Sequence, residues 1–271
     1  MAENDNLHSL ERMIYPAGNE PKPATNTNHI RLYNHNLCPF SARARYTFSA
    51  KGIPFQDCQI DLNNKAQWHI DVNGGAAPVM ETPEGDLIPD SGVLVHYALE
   101  SRPSSGIQLV PSDPLQAARM RLKMERFNKL LPNMFGVILS RGQDQEKIAK
   151  YKSETLPEFE ALATEANGKF LFATDEITQL DIHCAPLWEI IFLFEKGTYA
   201  DVDEQLRIRE NAPNWCAYME RFREHPAIKP HRFNEKASEA HGVRSRAWDP
   251  AQKCQLSCDV LVGCWANGSD E

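Results

Sequence analysis

The chain has 271 residues, enough for one large domain or two ordinary ones with ample material for a core. Its 42% hydrophobic and 24% charged content is that of a soluble globular protein, and a net charge of −8 argues against general nucleic-acid or anionic-membrane binding. Seven scattered cysteines describe no disulfide framework and Met1-Ala2-Glu3-Asn4-Asp5-Asn6 is no secretory signal, so a reducing cytoplasm is the expected home.

Residues 1–28, rich in Asn, Pro and Glu, show no sustained period and read as an extension lying across the domain surface through Ile14 and Tyr15. Ile30-Arg31-Leu32-Tyr33 then alternates like a short strand. Leu37-Cys38-Pro39-Phe40-Ser41-Ala42-Arg43 follows, and a helix runs to Lys51 and closes at Gly52. Pro39 suits the first helical position. Cys38 therefore sits where a strand turns into a helix, with backbone N–H groups and the positive helix end directed at its sulfur, the setting of a nucleophilic cysteine. Arg43 and Arg45 add positive charge, and Ser41 stands where a second cysteine would close a local disulfide. Two readings stand at this point, a reactive thiol and an ordinary buried one.

A second strand is expected over 55–62, then a short connection over 63–73 broken by Gly74-Gly75. Pro78-Val79-Met80-Glu81, a turn at Pro83-Glu84-Gly85 and Asp86-Leu87-Ile88 read as a hairpin. Ser91 opens a helix to about Glu100, with Val93, Leu94, Tyr97 and Ala98 on its apolar face. The order βαβ, connection, ββα describes an α/β domain over 29–101 with a mixed sheet. Residues 102–114 read as a linker, and 115–234 as all helical. Met120, Met124, Phe127, Leu131, Met134 and Ile138 form one stripe on a long helix that Pro132 bends. A second helix spans 145–166, with Pro157 inside it and Gly168 after it.

Ile177-Thr178-Gln179-Leu180-Asp181-Ile182 carries a capping box, with Thr178 as N-cap and Asp181 reaching back to its amide. The helix that follows, through Trp188, Ile191, Phe192 and Phe194, is apolar on nearly every side and predicts a buried bundle centre holding His183 and Cys184 as packed core residues. Its apolar run, interrupted by Glu189, is too short to span a bilayer. A last helix from Ala212-Pro213-Asn214 buries Trp215, Met219 and Phe222. In the tail over 235–271, Cys254, Cys258 and Cys264 match no zinc pattern, so no metal is expected.

A thioredoxin-like α/β domain followed by an all-α helical bundle, with a cysteine at the first βα turn, resembles the cytosolic glutathione transferases, the omega class above all. The resemblance rests on Leu37 to Arg45, Ala50-Lys51-Gly52-Ile53-Pro54, Lys65-Ala66-Gln67-Trp68, Ala77-Pro78-Val79-Met80-Glu81 and Asp90-Ser91 in this order and spacing. It implies that Cys38 forms a mixed disulfide with glutathione, the co-substrate. It also implies that Phe40 lies near the bound thiol and Lys65 meets a glutathione carboxylate. Ala77 would pair its backbone with the cysteinyl part, before a cis Pro78, and Asp90 and Ser91 would hold the γ-glutamyl end. Ser91 at a helix start suits an anion independently, and it also suits a plain N-cap. The chain departs from the family in having Asp90 for Glu, Ala77 for a larger apolar residue, and a connection one residue short at Asn73-Gly74-Gly75.

The expected function is thiol transfer and dehydroascorbate reduction through Cys38, with weak conjugation, in a homodimer that acts on a small electrophile, disulfide or oxidised substrate. A pathway-specific or non-catalytic member, in ligand binding, biosynthetic conjugation or isomerisation, is the alternative. A membrane-inserting relative of the chloride intracellular channel type ranks lower. Met124, Phe127 and Phe135 are candidates to line the second-substrate pocket.

Overall fold

The computed structural model describes residues 10–14, 20–62, 64–140, 142–192 and 200–233, which divide into two compact units at Gly106 and Ile107. The expected positions Tyr15, Phe194, Cys254, Cys258 and Cys264 lie outside the described residues.

The first unit begins with a strand that the sequence did not announce. Leu10–Ile14 (β1) pairs parallel with Phe55–Gln59 (β3), while Ile30–Asn34 (β2) flanks β3 on the other side. The extension is thus tied into the sheet, because an unpaired β3 edge offers it a row of backbone partners. Helix α1 (Pro39–Ala50) connects β2 to β3. α2 (Gln67–Asn73) leads through Gly74 and Gly75, both at positive φ, to β4 (Val79–Glu81) and β5 (Leu87–Pro89), and α3 (Ser91–Ser101) closes the unit. The sheet order is β1-β3-β2-β4-β5, parallel among the first three strands and antiparallel at β4 and β5. The expected βαβ-ββα order is present, with the second strand ending at Gln59 rather than at Leu62.

Strand alternation sends Leu32, Phe55 and Met80 to one face, against Ala44, Phe48, Leu94 and Ala98. Tyr33, Cys58 and Val79 go to the other, where Ala66, Ala77, Trp68 and Val72 cover them. Val93, expected on the apolar face of α3, is half exposed, and Val95 is buried instead. A buried carboxylate fastens the segment after β1: Glu81 accepts from Lys22, from the Thr25 hydroxyl at 2.8 Å, from Arg31 at 3.2 Å and from the Tyr33 hydroxyl at 2.8 Å. Burial would raise the Glu81 carboxyl, but hydrogen bonds from Lys22, Tyr33 and Thr25 outweigh it and hold it below its ordinary value.

In the second unit the stripe expected as one bent helix is two helices, α4 (Pro114–Asn128) and α5 (Leu131–Ser140). The break falls just before Pro132, whose ring is tolerated in a first turn but not in a helix interior. α6 (Gln145–Lys150) passes through a π-helical turn, Tyr151–Thr155, into α7 (Leu156–Glu165). Pro157 has no N–H to give, and the Leu156 N–H reaches back five residues to the Tyr151 carbonyl, so the ladder widens where the proline enters it.

α8 (Gln179–Phe192) is the buried axis, followed by α9 (Ala200–Leu206), α10 (Ile208–Asn211) and α11 (Pro213–Glu224). The capping box forms as expected. The Asp181 carboxylate accepts from the Thr178 N–H (2.7 Å) and hydroxyl (2.8 Å), and further from the Leu171 N–H (2.8 Å) and the Tyr218 hydroxyl (3.0 Å). His183 is a half-buried packing residue, edge-on to Phe127 and bonded to Asn128 Oδ1 at 2.7 Å. Glu189 pairs with Arg223 in the interior and accepts from the Phe233 N–H at 3.2 Å. No helix among the described residues is long and apolar enough to cross a membrane.

Candidate active site

Strand direction gathers the predicted residues at one end of the first sheet. β2 and β3 run parallel, so both C-terminal ends point the same way. β4 returns antiparallel with Val79 opposite Tyr33, and β5 reverses again with Pro89 opposite Val79. The turn after β2, the residues before β4 and those after β5 therefore share one end. These are the segments that carry Cys38, Ala77-Pro78 and Asp90-Ser91, and the crevice beyond the C-terminal ends of parallel strands is where such sheets present ligand sites.

Cys38 is the N-cap of α1, buried to 1% exposure. Its Sγ accepts from the Ser41 N–H at 3.5 Å and approaches the Ala77 carbonyl at 3.6 Å. The helix start thus supplies one backbone donor directed at the sulfur. The Ala77–Pro78 peptide bond is cis. Phe40 is buried beside Cys38, with the Arg43 guanidinium 5.2 Å from its ring centroid. Ser41, fully buried, also accepts from the His35 N–H at 3.4 Å.

Lys65 is half-buried, and its stem lies across Gly75, where a Cβ would come within 2.6 Å of Lys65 Cδ. Glycine suits that position because φ is +73°, and an added Cβ would also have to push the flexible Lys65 stem aside. The next residues are held from α2: His69 Nε2 bonds the Ala76 carbonyl at 2.8 Å, and Asn73 donates to that carbonyl at 3.2 Å and accepts the Ala76 N–H at 3.1 Å. Burial first, and Lys65 further, push the His69 imidazolium below its ordinary value, while the Ala76 bond opposes them. A neutral His69 donating to Ala76 follows. Nothing in the sequence reading had singled this histidine out.

The α3 start differs from expectation. Asp90, not Ser91, is the N-cap: its Oδ1 accepts from the Gly92 N–H at 2.7 Å and the Val93 N–H at 3.0 Å. Ser91 occupies the first helical position and is buried. Asp90 adopts φ +78°, a conformation that costs a non-glycine residue energy and that clusters at ligand sites. The Cys38 sulfur is contacted by Ala77 and Ser41, while Phe40, Lys65, Asp90 and Ser91 lie on segments at the same end of the sheet.

The family model "Glutathione S-transferase, N-terminal domain" matches residues 32–106, which spans the whole of this constellation. Rat glutathione S-transferase omega-2 is 31% identical over 182 residues, covering 66% of this chain and 72% of its own. This chain belongs to the omega-class glutathione transferases. Pyrimidodiazepine synthase of Drosophila melanogaster is 27% identical over 223 residues, 80% of this chain and 86% of that one. The solved structure of glutathione transferase Omega 1C from Trametes versicolor superposes with a TM-score of 0.64 at 21% identity, covering 80% of this chain and 96% of that one. That likeness bears on the fold: a thioredoxin-like domain followed by a helical one.

In the helical unit of this omega-class protein, Phe127, Phe159 and Trp188 floor a cavity of about 270 Å³. Lys123 and Glu165 (2.6 Å), and Arg126 and Glu158, pair at its rim. Met124 and Phe135 are not part of that lining.

Proposed function

We propose that this glutathione transferase moves glutathione by thiol–disulfide exchange at Cys38. The observation that carries the reading is the pairing of Cys38 Sγ with the Ser41 N–H where a second cysteine would otherwise stand. The Cys38 thiolate attacks the glutathione sulfur of a mixed disulfide RS–SG. The S–S bond breaks, its electron pair leaves on RS⁻, which takes a proton, and Cys38–SG forms. A second glutathione thiolate then attacks the glutathione sulfur of Cys38–SG, releasing oxidised glutathione and regenerating the Cys38 thiolate. Dehydroascorbate follows the same electron balance. Two glutathione thiols supply two electrons and two protons, ascorbate leaves, and oxidised glutathione is the by-product.

In this reading Lys65 meets a glutathione carboxylate, the Ala77 backbone pairs with the cysteinyl residue, and Ser91 with Asp90 holds the γ-glutamyl end. The capping bonds of Asp90 both use Oδ1. Oδ2 is the oxygen assigned here to the glutathione ammonium. Phe40 flanks the thiol. Conjugation to electrophiles is slow, because glutathione is captured as a disulfide rather than presented as a thiolate. The working unit is a cytoplasmic homodimer, a state read by light scattering. The similarity to pyrimidodiazepine synthase favours a second reading, in which the same glutathione site serves one biosynthetic substrate.

The test is a panel of thiol exchange, dehydroascorbate reduction and aryl-halide conjugation, run with wild type and Cys38→Ala. Exchange and dehydroascorbate activity lost in the variant, with conjugation low in wild type, supports the reading. Full exchange activity without the cysteine ends it. Wild type that is inactive on the panel, yet accepts glutathione at Cys38, favours the biosynthetic reading.

A further inference from the structure

Arg45 lies two turns along α1 from Cys38, and its side chain is almost wholly buried, at 2% exposure. Its guanidinium turns back under the active-site loop. Nη1 donates to Asn34 Oδ1 at 2.6 Å and to the His35 carbonyl at 3.2 Å, and Nη2 donates to the Asn36 carbonyl at 3.2 Å. These three residues are the link between the end of β2 and Leu37-Cys38. A planar fork reaches the three acceptors from two nitrogens held in one plane, whereas a lysine ammonium would have to reach all of them from a single nitrogen.

The charge is balanced through one amide. Asn34 Nδ2 donates to Asp57 Oδ1 at 2.7 Å and to the Leu32 carbonyl at 2.8 Å. Gln59 donates to Asn34 Oδ1 at 3.0 Å and also to Asp57. A buried cation and a buried carboxylate are thus joined through hydrogen-bonded amides, the condition under which such charges are tolerated inside a protein.

The loop bonds lead from this network to the sulfur. The His35 carbonyl that Arg45 holds also accepts the Cys38 N–H at 3.0 Å. The His35 N–H donates to Ser41 Oγ, and the Ser41 N–H donates to Cys38 Sγ. His35 is therefore fixed on both sides, by Arg45 at its carbonyl and by Ser41 at its amide. Were Arg45 absent, the half-buried carbonyls of His35 and Asn36 would each lose the guanidinium donor, His35 keeping the Cys38 N–H, and the loop would no longer be tied to α1.

We propose that Arg45 is a positioning residue for the reacting thiol. It does not touch the sulfur; it locks residues 34–36 so that Cys38 keeps its alignment to the Ser41 N–H and the Ala77 carbonyl. This rests on Cys38 being the reacting group, as proposed above.

The experiment compares full-length wild type, Arg45→Lys and Asn34→Ser, with Cys38→Ser as the blank. Steady-state thiol transfer gives kcat and KM for glutathione. Iodoacetamide alkylation, read by mass spectrometry at Cys38, gives the thiol's own rate. Thermal melts give the folded fraction by which every rate is divided. For Arg45→Lys, kcat and the alkylation rate per folded molecule fall by roughly tenfold or more, while KM for glutathione stays within about twofold. Asn34→Ser, which shortens one of the three acceptors, shows a smaller loss of the same kind. Rates per folded molecule equal to wild type, with only the melting temperature lowered, would show Arg45 to be merely a core ion and would overturn the proposal. If Arg45→Lys does not fold, Asn34→Ser decides by the same two rates. Failure of the thiol-transfer reading shows separately, as wild type no more active than Cys38→Ser; the alkylation ratio still tests Arg45.

Discussion

Replacing Asp181 by Ala should unfold the helical unit more readily than any surface change, and the size of the effect can be worked from four bonds. The carboxylate is fully buried and accepts from the amides of Leu171 and Thr178 and from the hydroxyls of Thr178 and Tyr218. Burial pushes this carboxyl up, and the four hydrogen bonds draw it back. In Asp181→Ala the two hydroxyls can rotate towards other acceptors, but the two amides are fixed by the backbone. Each buried amide left without a partner costs roughly 1–3 kcal/mol. The Thr178 amide is itself the capping-box bond, so no separate capping loss is added. Relief of carboxylate desolvation returns part of the amide cost, leaving a net loss of about 2–4 kcal/mol. Asp181→Asn retains one acceptor oxygen and should lose about half as much. The assay is urea unfolding followed through Trp188 and Trp215, both fully buried in the unit that Asp181 anchors. A loss under about 1 kcal/mol for the alanine variant would refute the reasoning, because it would mean that water or a rearranged chain serves those amides.

Acid should act on the thioredoxin-like unit through His69. Its folded-state value is depressed, so the fold prefers the neutral ring; that preference is fully present above the unfolded value of about 6.5 and is lost as pH falls towards the folded value. His69→Gln keeps a donor for Ala76 and should flatten the decline of melting temperature between about pH 7 and pH 5; an unchanged decline would acquit the histidine. Gly75→Ala meets Lys65 Cδ at 2.6 Å and forces φ +73° on a residue with a Cβ. It should cost about 1 kcal/mol and raise KM for glutathione more than it lowers kcat, whereas an unaltered KM would separate Lys65 from the tripeptide.

What could be read from the chain was what local chemistry dictates. Cys38 before Pro39, the hairpin around Gly85 and the Thr178–Asp181 box each carry their geometry in adjacent residues, and the structure holds all three. Features that depend on distant partners were not legible. Leu10–Ile14 has no alternating pattern of its own and becomes a strand because β3 has a free edge. The polar set Asn34, Arg45, Asp57 and Gln59 looks like solvent-facing residues of a strand and helix until the four are brought together under the active-site loop. By residue type Ser91 and Asp90 are equal N-cap candidates; the positive φ at Asp90, which no local pattern announces, swings its carboxylate onto the Gly92 and Val93 amides. His69 sits among apolar neighbours at helical spacing, and its role appears only once Ala76 folds back on it.

The proposed function stands or falls on whether Cys38 carries glutathione. Intact-mass and peptide analysis after incubation with oxidised glutathione tests it most directly, with wild type beside Cys38→Ala. A glutathione adduct on Cys38 that added glutathione removes is expected in wild type, with no adduct at that peptide in the variant. Adducts confined to other cysteines, or none at Cys38 under conditions where the protein transfers thiols, would contradict it.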